Sequence, residues 1–296
     1  YTFLMTIGNF SLIFVLQGLQ TAAKKYVSSN TSSDDTQREI VSEIKIYVLL
    51  VSALAIAVLP FAFDYLPKKI LTGINPAFLL AFFGSLFILN GLTTVNYEIL
   101  VGLKEPEIEA LLHYFLEPLL KIGTFGVILY FWDQAEGILF CFIVVYVLLF
   151  LSSELSVAKK GLSLKIPDFK HTKKLYLFSL PLLGSTLLDQ GIFSFDKLFL
   201  GYLSTPENVG VYNVINKVAF LLIFPFWTTA KTFSPIIAEF WEDQNFDRLK
   251  AQYSKFCYVF MFLLGSSLSF LLVNYDLIFF FFGTEFINAH YKNVFL

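Results

Sequence analysis

Charge is what this 296-residue chain has least of. Asp, Glu, Lys and Arg make up 15% of it, against roughly a quarter in an average soluble domain. With so little polar material to cover a surface, an ordinary soluble globule is excluded, and so is a disordered chain. Cysteine is nearly absent: the two present, Cys141 and Cys257, both lie in apolar runs, where they read as small core hydrophobes rather than as a disulfide scaffold or a metal site. Three histidines, His113, His171 and His290, have no metal-ligand spacing. The net charge of −2 carries no nucleic-acid signature.

What the chain does have is apolar length. Hydrophobic residues make up 56% of it, and phenylalanine alone supplies 36. Eight apolar spans can be marked: a (2–22), b (44–63), c (76–97), d (108–131), e (137–157), f (175–203), g (210–238) and h (256–274). Each has about the 20 residues that a membrane-crossing helix needs. The expected fold class is therefore an all-α polytopic membrane protein, with loops too short for a sizeable soluble catalytic domain. Phe279–Phe282 reads as a short reentrant or interfacial piece. The chain opens at Tyr1 inside an apolar run and stops at Leu296 as another begins, so it is expected to be an internal piece of a longer protein.

Loop cations set an expected orientation. The loops after a, c, e and g hold 14 lysines and arginines, with Lys45 counted among them, whereas the alternate loops hold three. The first set is expected in the cytoplasm of a prokaryote, with the chain in its inner membrane. The most basic stretch, 158–174, reads as a topogenic linker on the membrane surface and as a lobe boundary; a lipid-headgroup or pyrophosphate-collecting role is the alternative. A weak internal repeat relates a and b to g and h at an offset of about 210 residues: Arg38 matches Arg248, Tyr47 matches Tyr258, Asp64 matches Asp276, and Thr21–Lys24 matches Thr229–Lys231. Six spans separate the copies, so orientation is kept and the repeat is parallel.

Ionisable residues inside spans cost several kcal/mol and need partners or water. On d, Glu109, His113, Glu117, Lys121 and Thr124 share a helical face, and Glu117 and Lys121 are spaced to pair. On f, Asp189 and Asp196 face one way. On g, Asn213, Lys217, Thr228 and Lys231 roughly align, and on a, Asn9, Gln17, Gln20 and Lys24 do so. Lys197, Lys217 and Lys231 lie close enough to helix ends to snorkel; Lys121 and Asp189 do not. Such stripes serve as interhelical glue or line a water-filled cavity. In a cavity, Lys121, Lys197, Lys217 and Lys231 suit an anionic substrate, with Asp189, Asp196 and Glu117 as coupling or charge-pairing groups. Pro60, Pro118, Pro181, Pro225 and Pro235 read as hinges or static kinks.

The stretch 178–240, FSLPLLGSTLLDQGIFSFDKLFLGYLSTPENVGVYNVINKVAFLLIFPFWTTAKTFSPIIAEF, resembles polysaccharide flippases. These are the O-antigen and lipid-linked oligosaccharide transporters of the multidrug/oligosaccharidyl-lipid/polysaccharide exporter superfamily. The resembling features are the basic linker, the Ser179-Leu180-Pro181 helix start, the Asp196-Lys197 pair with Gly201, then Gly210 with Tyr212, and Ser234-Pro235. GLQTAAKKYV (18–27) and FFGTEFINA (281–289) add to it. The resemblance implies a two-lobed bundle of 12–14 helices, about eight of them present, as family helices 2–9. Residues 1–157 would form most of the N-lobe, 158–174 the inter-lobe linker and 175–296 the first part of the C-lobe. It implies transport of polyprenyl-pyrophosphate oligosaccharide, not enzymatic chemistry, with no cofactor and with proton or sodium coupling open. Membrane lipid and the polymerase and glycosyltransferases of the pathway would be partners. A drug or metabolite exporter of the same superfamily, and an integral-membrane glycan polymerase or acyltransferase, remain as alternatives.

Overall fold

The computed structural model describes residues 2–28, 34–63, 74–132, 135–162, 167–205, 208–220, 244 and 246–274. Every regular element among them is helical. In chain order these are α1 (Thr2–Leu16), α2 (Leu19–Ser28), α3 (Asp34–Phe63), α4 (Pro76–Gly102), α5 (106–131), α6 (Ala135–Lys159), α7 (Thr172–Leu203), α8 (208–220) and α9 (Phe246–Val273). Five helices are long and apolar enough to cross a bilayer, namely α3, α4, α5, α6 and α9; α1 and α2 together make a sixth if their bend is one span. Whole faces of Leu, Phe and Tyr stay exposed on them, as at Leu54, Phe61, Phe115, Ile122 and Phe131. Lipid solvates such faces, and backbone satisfied within each helix is what a bilayer demands. The chain is a polytopic helical membrane protein.

The structure revises two expected spans and describes a third only in part. Span a is not one helix: α1 and α2 meet at 50° around Gln17 and Gly18, which have φ of 48° and 78°. Span f is one helix of 32 residues, α7, yet it falls outside the strongly apolar set because Asp189, Gln190, Asp196 and Lys197 interrupt it. Of span g, α8 is described up to residue 220; its remainder, the repeat positions Thr229–Lys231 and Asp276, and the 279–289 segment lie outside the described residues.

Two compact units divide the chain, Tyr1–Pro206 and Glu207–Leu296. In the first, α7 lies antiparallel against α1: Phe10 meets Phe195 at 5.5 Å, and a Cβ on Gly201 would overlap the Phe3 ring. Helix α7, which follows the basic 158–174 segment, thus packs with the helices that precede it. Its N-terminus is capped from α3. The buried Glu43 carboxylate accepts from the His171 backbone N–H at 3.1 Å and from the Thr172 hydroxyl at 3.2 Å, placing negative charge at a helix N-terminus. The core is built by α1–α4 and α6, around Leu4, Ile44, Val48, Phe82, Phe83, Ile99 and Leu139. In the second unit, the described helices are α8 and α9.

Helix α4 starts as its sequence prescribes. Asn75 caps it by accepting from the Ala77 N–H at 2.9 Å, and Pro76 occupies the first turn, where no N–H is missed. Midway, Leu86–Asn90 widens into a π turn, and the Gly91 N–H bonds the Leu86 carbonyl five residues back. A π turn re-aims carbonyls, and hydroxyls take them up. Ser52 of α3 donates to the Phe87 oxygen at 3.0 Å, while Thr93 and Thr94 donate to Leu89 and Asn90 at 2.8 Å. Ser52→Ala should therefore cost about 0.5–1.5 kcal/mol. A lowered midpoint of thermal unfolding in detergent would measure it, and an unchanged midpoint would refute it.

Candidate functional site

Two polar clusters occupy the first unit. The first gathers on α5. A second π turn, Leu111–Leu116, precedes Pro118, with the Glu117 N–H reaching the Leu112 carbonyl five residues back. Pro118 has no N–H for the ordinary ladder, and the wider turn accommodates the register change. The turn sets His113, Glu117 and Lys121 in one row. Lys121 Nζ lies 2.6 Å from Glu117 Oε1 and His113 Nδ1 lies 3.0 Å from Glu117 Oε2. At 1.5 Å per residue these three sit about 10, 16 and 22 Å along the helix from Pro106, so Glu117 and Lys121 lie toward its middle, where a charge has no easy way out. Tyr97 of α4 faces them, its ring 5.3 Å from that of His113, and its hydroxyl is buried with no hydrogen-bond partner. Tyr146 of α6 lies within electrostatic reach of Glu117, and its hydroxyl contacts the Met5 sulfur of α1 at 4.0 Å. The side chains of His113 and Lys121 remain 43% and 38% exposed, so the row opens away from the core.

The second cluster was not foreseen. Lys45, expected in a loop, lies well inside α3 and is 1% exposed. Its Nζ donates to both oxygens of Glu154 on α6, at 2.9 and 2.8 Å. Asn96 on α4 donates to Glu154 Oε2 at 2.9 Å and to the Ser153 hydroxyl at 3.1 Å. Three helices are thus tied by one carboxylate. A signal existed: Glu154 falls inside span e and Asn96 inside span c, toward corresponding ends, and Lys45 is the cation at the matching end of span b.

The remaining expected residues are dispersed. Asp189 is exposed on α7. Asp196 accepts from the Lys197 backbone N–H at 2.7 Å. Lys217 is exposed on α8, in the second unit, and Lys231 lies outside the described residues. Two other cations in the first unit are ion-paired, Lys24 with Glu98 at 3.4 Å and Lys160 with Glu105. In the basic segment, Lys170 donates to Asp168 at 2.6 Å, and that carboxylate raises the lysine's pKa. Both cysteines are free. Among the described residues no three His, Cys, Asp or Glu side chains gather to hold a metal ion. A groove of about 340 Å³ between α1, α3 and α4 is lined by Phe14, Val51, Leu54, Val58 and Phe87; with no charge in its lining it suits acyl chains, not a headgroup, so the α5 row is the better functional candidate.

A row of charges in a membrane-crossing helix marks transport as readily as assembly, and kinship helps to separate the two. The family described as "Polysaccharide biosynthesis protein" matches residues 1–241. The chain belongs to that family. Searches of curated proteins and of solved structures found no match. Family membership joins the helical membrane fold to polysaccharide biosynthesis or export, and the matched region contains both polar clusters and all of α1–α8.

Proposed function

We propose that this protein is a flippase that moves polyprenyl-pyrophosphate-linked oligosaccharide units across the cytoplasmic membrane by alternating access. The observation that carries the reading is the half-open His113–Glu117–Lys121 row deep in α5 of a polysaccharide biosynthesis family member. Charge in that position is tolerated where water reaches it, and Lys121 suits the pyrophosphate where the anion displaces Glu117 as its partner. Lys197, in the same unit, would add a cation to the path, with Asp189 and Asp196 of α7 to hold it or to couple to an incoming cation. The loops after spans a, c, e and g face the cytoplasm of a prokaryote. With that side negative, an anion moving outward gains about 2.3 kcal/mol per charge per 100 mV. Pathway polymerases and glycosyltransferases are its partners in function.

Reconstitution tests this. Fluorescent lipid-linked oligosaccharide in proteoliposomes should become accessible in the far leaflet only when the protein is present. Chemical alteration of the substrate would replace the transporter reading with an enzymatic one, and transport of cationic drugs alone would favour a drug exporter. Lys121→Ala should slow flipping about tenfold, the effect of losing roughly 1.4 kcal/mol of headgroup attraction, and Asp189→Asn should slow it too, both at unchanged protein levels. Normal rates in both variants would remove these residues from the pathway.

A further inference from the structure

The row on α5 holds one imidazole, His113, the side-chain type whose unperturbed charge change falls near neutral pH. Glu117 sits between two nitrogen bases: Lys121 at 2.6 Å makes an ion pair with one oxygen, and His113 Nδ1 holds the other at 3.0 Å. An ionised carboxylate only accepts hydrogen bonds, so Nδ1 must carry the hydrogen. The nitrogen left to take a proton is Nε2. An unperturbed imidazole titrates near pH 6.5, inside the working range of a cell.

Among the described residues, these groups surround the ring and its Glu117 partner. Glu109 and Lys121, on its own helix, act on it electrostatically, as does Glu117. From α4 comes Tyr97, which also feels Glu109 and Glu117, and from α6 comes Tyr146, which feels Glu117. Tyr114 stacks edgewise on the ring at 4.7 Å. The two acids and one lysine leave the cluster with a single negative charge while His113 is neutral. One proton on Nε2 makes it electroneutral. A cluster with no net charge can be enclosed between helices and moved through a low-dielectric stage; one with an unpaired charge resists enclosure. His113 lies in a π turn, where the hydrogen-bond register departs from that of the α-helix, and the Tyr97 hydroxyl is buried without a hydrogen-bond partner.

From this geometry we infer that His113, held by Glu117, is the binding site of the coupling cation, and that this cation is a proton. The inference deepens the proposed function and rests on it for the transport step, but proton binding itself can be measured without substrate.

Two measurements on the full chain separate the outcomes. In the first, His171→Gln and His290→Gln leave His113 as the lone histidine, and the labelled imidazole is followed by NMR in lipid nanodiscs. A titration between about pH 5 and 8, with a midpoint displaced in Glu117→Gln, is expected. An imidazole that keeps one protonation state over that range overturns the site, whether or not the protein flips lipid. In the second, proteoliposomes carry fluorescent lipid-linked oligosaccharide and an imposed pH gradient. The gradient should accelerate flipping by the unaltered protein about tenfold per pH unit at the most. His113→Gln should abolish that acceleration, so that whatever flipping it performs runs at the same rate with and without the gradient. His113→Gln flipping that still responds to pH, or a response to a sodium gradient alone, overturns the assignment. Failure of the unaltered protein to flip under any gradient, with His113 titrating normally, sinks the flippase reading and leaves the proton site standing.

Discussion

Lys45→Met should destabilise the protein by about 3–5 kcal/mol, the cost of removing one partner from a buried ion pair. Lys45 is 1% exposed and Glu154 23%, so water reaches little of this pair. With the ammonium gone, Glu154 keeps, among the described residues, the amide of Asn96 against a full negative charge. The apolar methionine fills most of the lysine volume, so lost packing contributes little. Pairing Lys45→Met with Glu154→Gln removes the stranded charge and should recover most of the stability, because an uncharged, well-filled core is often as stable as the ion pair it replaces. Detergent-solubilised thermal unfolding, with yield of monodisperse protein as a second readout, checks both. A Lys45→Met variant as stable as the parent would mean that Glu154 finds another donor or water. A double variant no better than the single one would mean that the pair, and not the orphaned charge, holds α3, α4 and α6 together.

That pair also marks where sequence reasoning stops. The row on α5 was legible because its members lie on one helix: spacing of four puts Glu117 beside Lys121, and the 2.6 Å contact follows from helical geometry alone. The Lys45 cluster needs three helices brought side by side, and although all three residues fall at corresponding span ends, spacing does not say which helices are neighbours. A lysine at the edge of an apolar run looks like a loop cation, since most such lysines snorkel. Only the tertiary fact that Glu154 and Asn96 converge on it turns the same residue into core. Likewise, the apolar runs announced the spans, but the two π turns are invisible in hydropathy. One precedes a proline that hints at it. The other, at Leu86–Asn90, has no breaker within it and is recognised afterwards by the hydroxyls that serve its carbonyls. The expected coupling and substrate residues on α7 and α8 depend on how distant parts of the chain converge, which local pattern does not encode.

Gly18→Ala carries the second large effect, about 2–4 kcal/mol, from two separate causes. The first is conformational. Gly18 has φ of 78°, where a side chain strains the backbone, and neighbouring Gln17 already sits at 48°; a second residue held there costs of order 1 kcal/mol or more. The second is steric. A Cβ at this position would lie 2.7 Å from the Ser179 carbonyl oxygen and 3.1 Å from the Leu182 Cβ of α7. Backbone cannot yield as a flexible side chain does, so α7 would have to retreat, and forced repacking of that kind costs about 1–3 kcal/mol. Close backbone approach through small residues is a means by which helices associate in lipid, where apolar burial gives no advantage over lipid tails. The bend at Gln17–Gly18 also places Gln17 Oε1 where the Tyr47 hydroxyl donates to it at 3.2 Å, so straightening the helix would strand both groups. The steric cause can be separated from the conformational one by Leu182→Ala, which trims the α7 side chain but not the Ser179 carbonyl. If the double variant Gly18→Ala/Leu182→Ala regains none of the lost stability beyond the sum of its parts, contact with the Ser179 backbone dominates. If Gly18→Ala alone unfolds at the parent's midpoint, the bend between α1 and α2 is not fixed by this glycine.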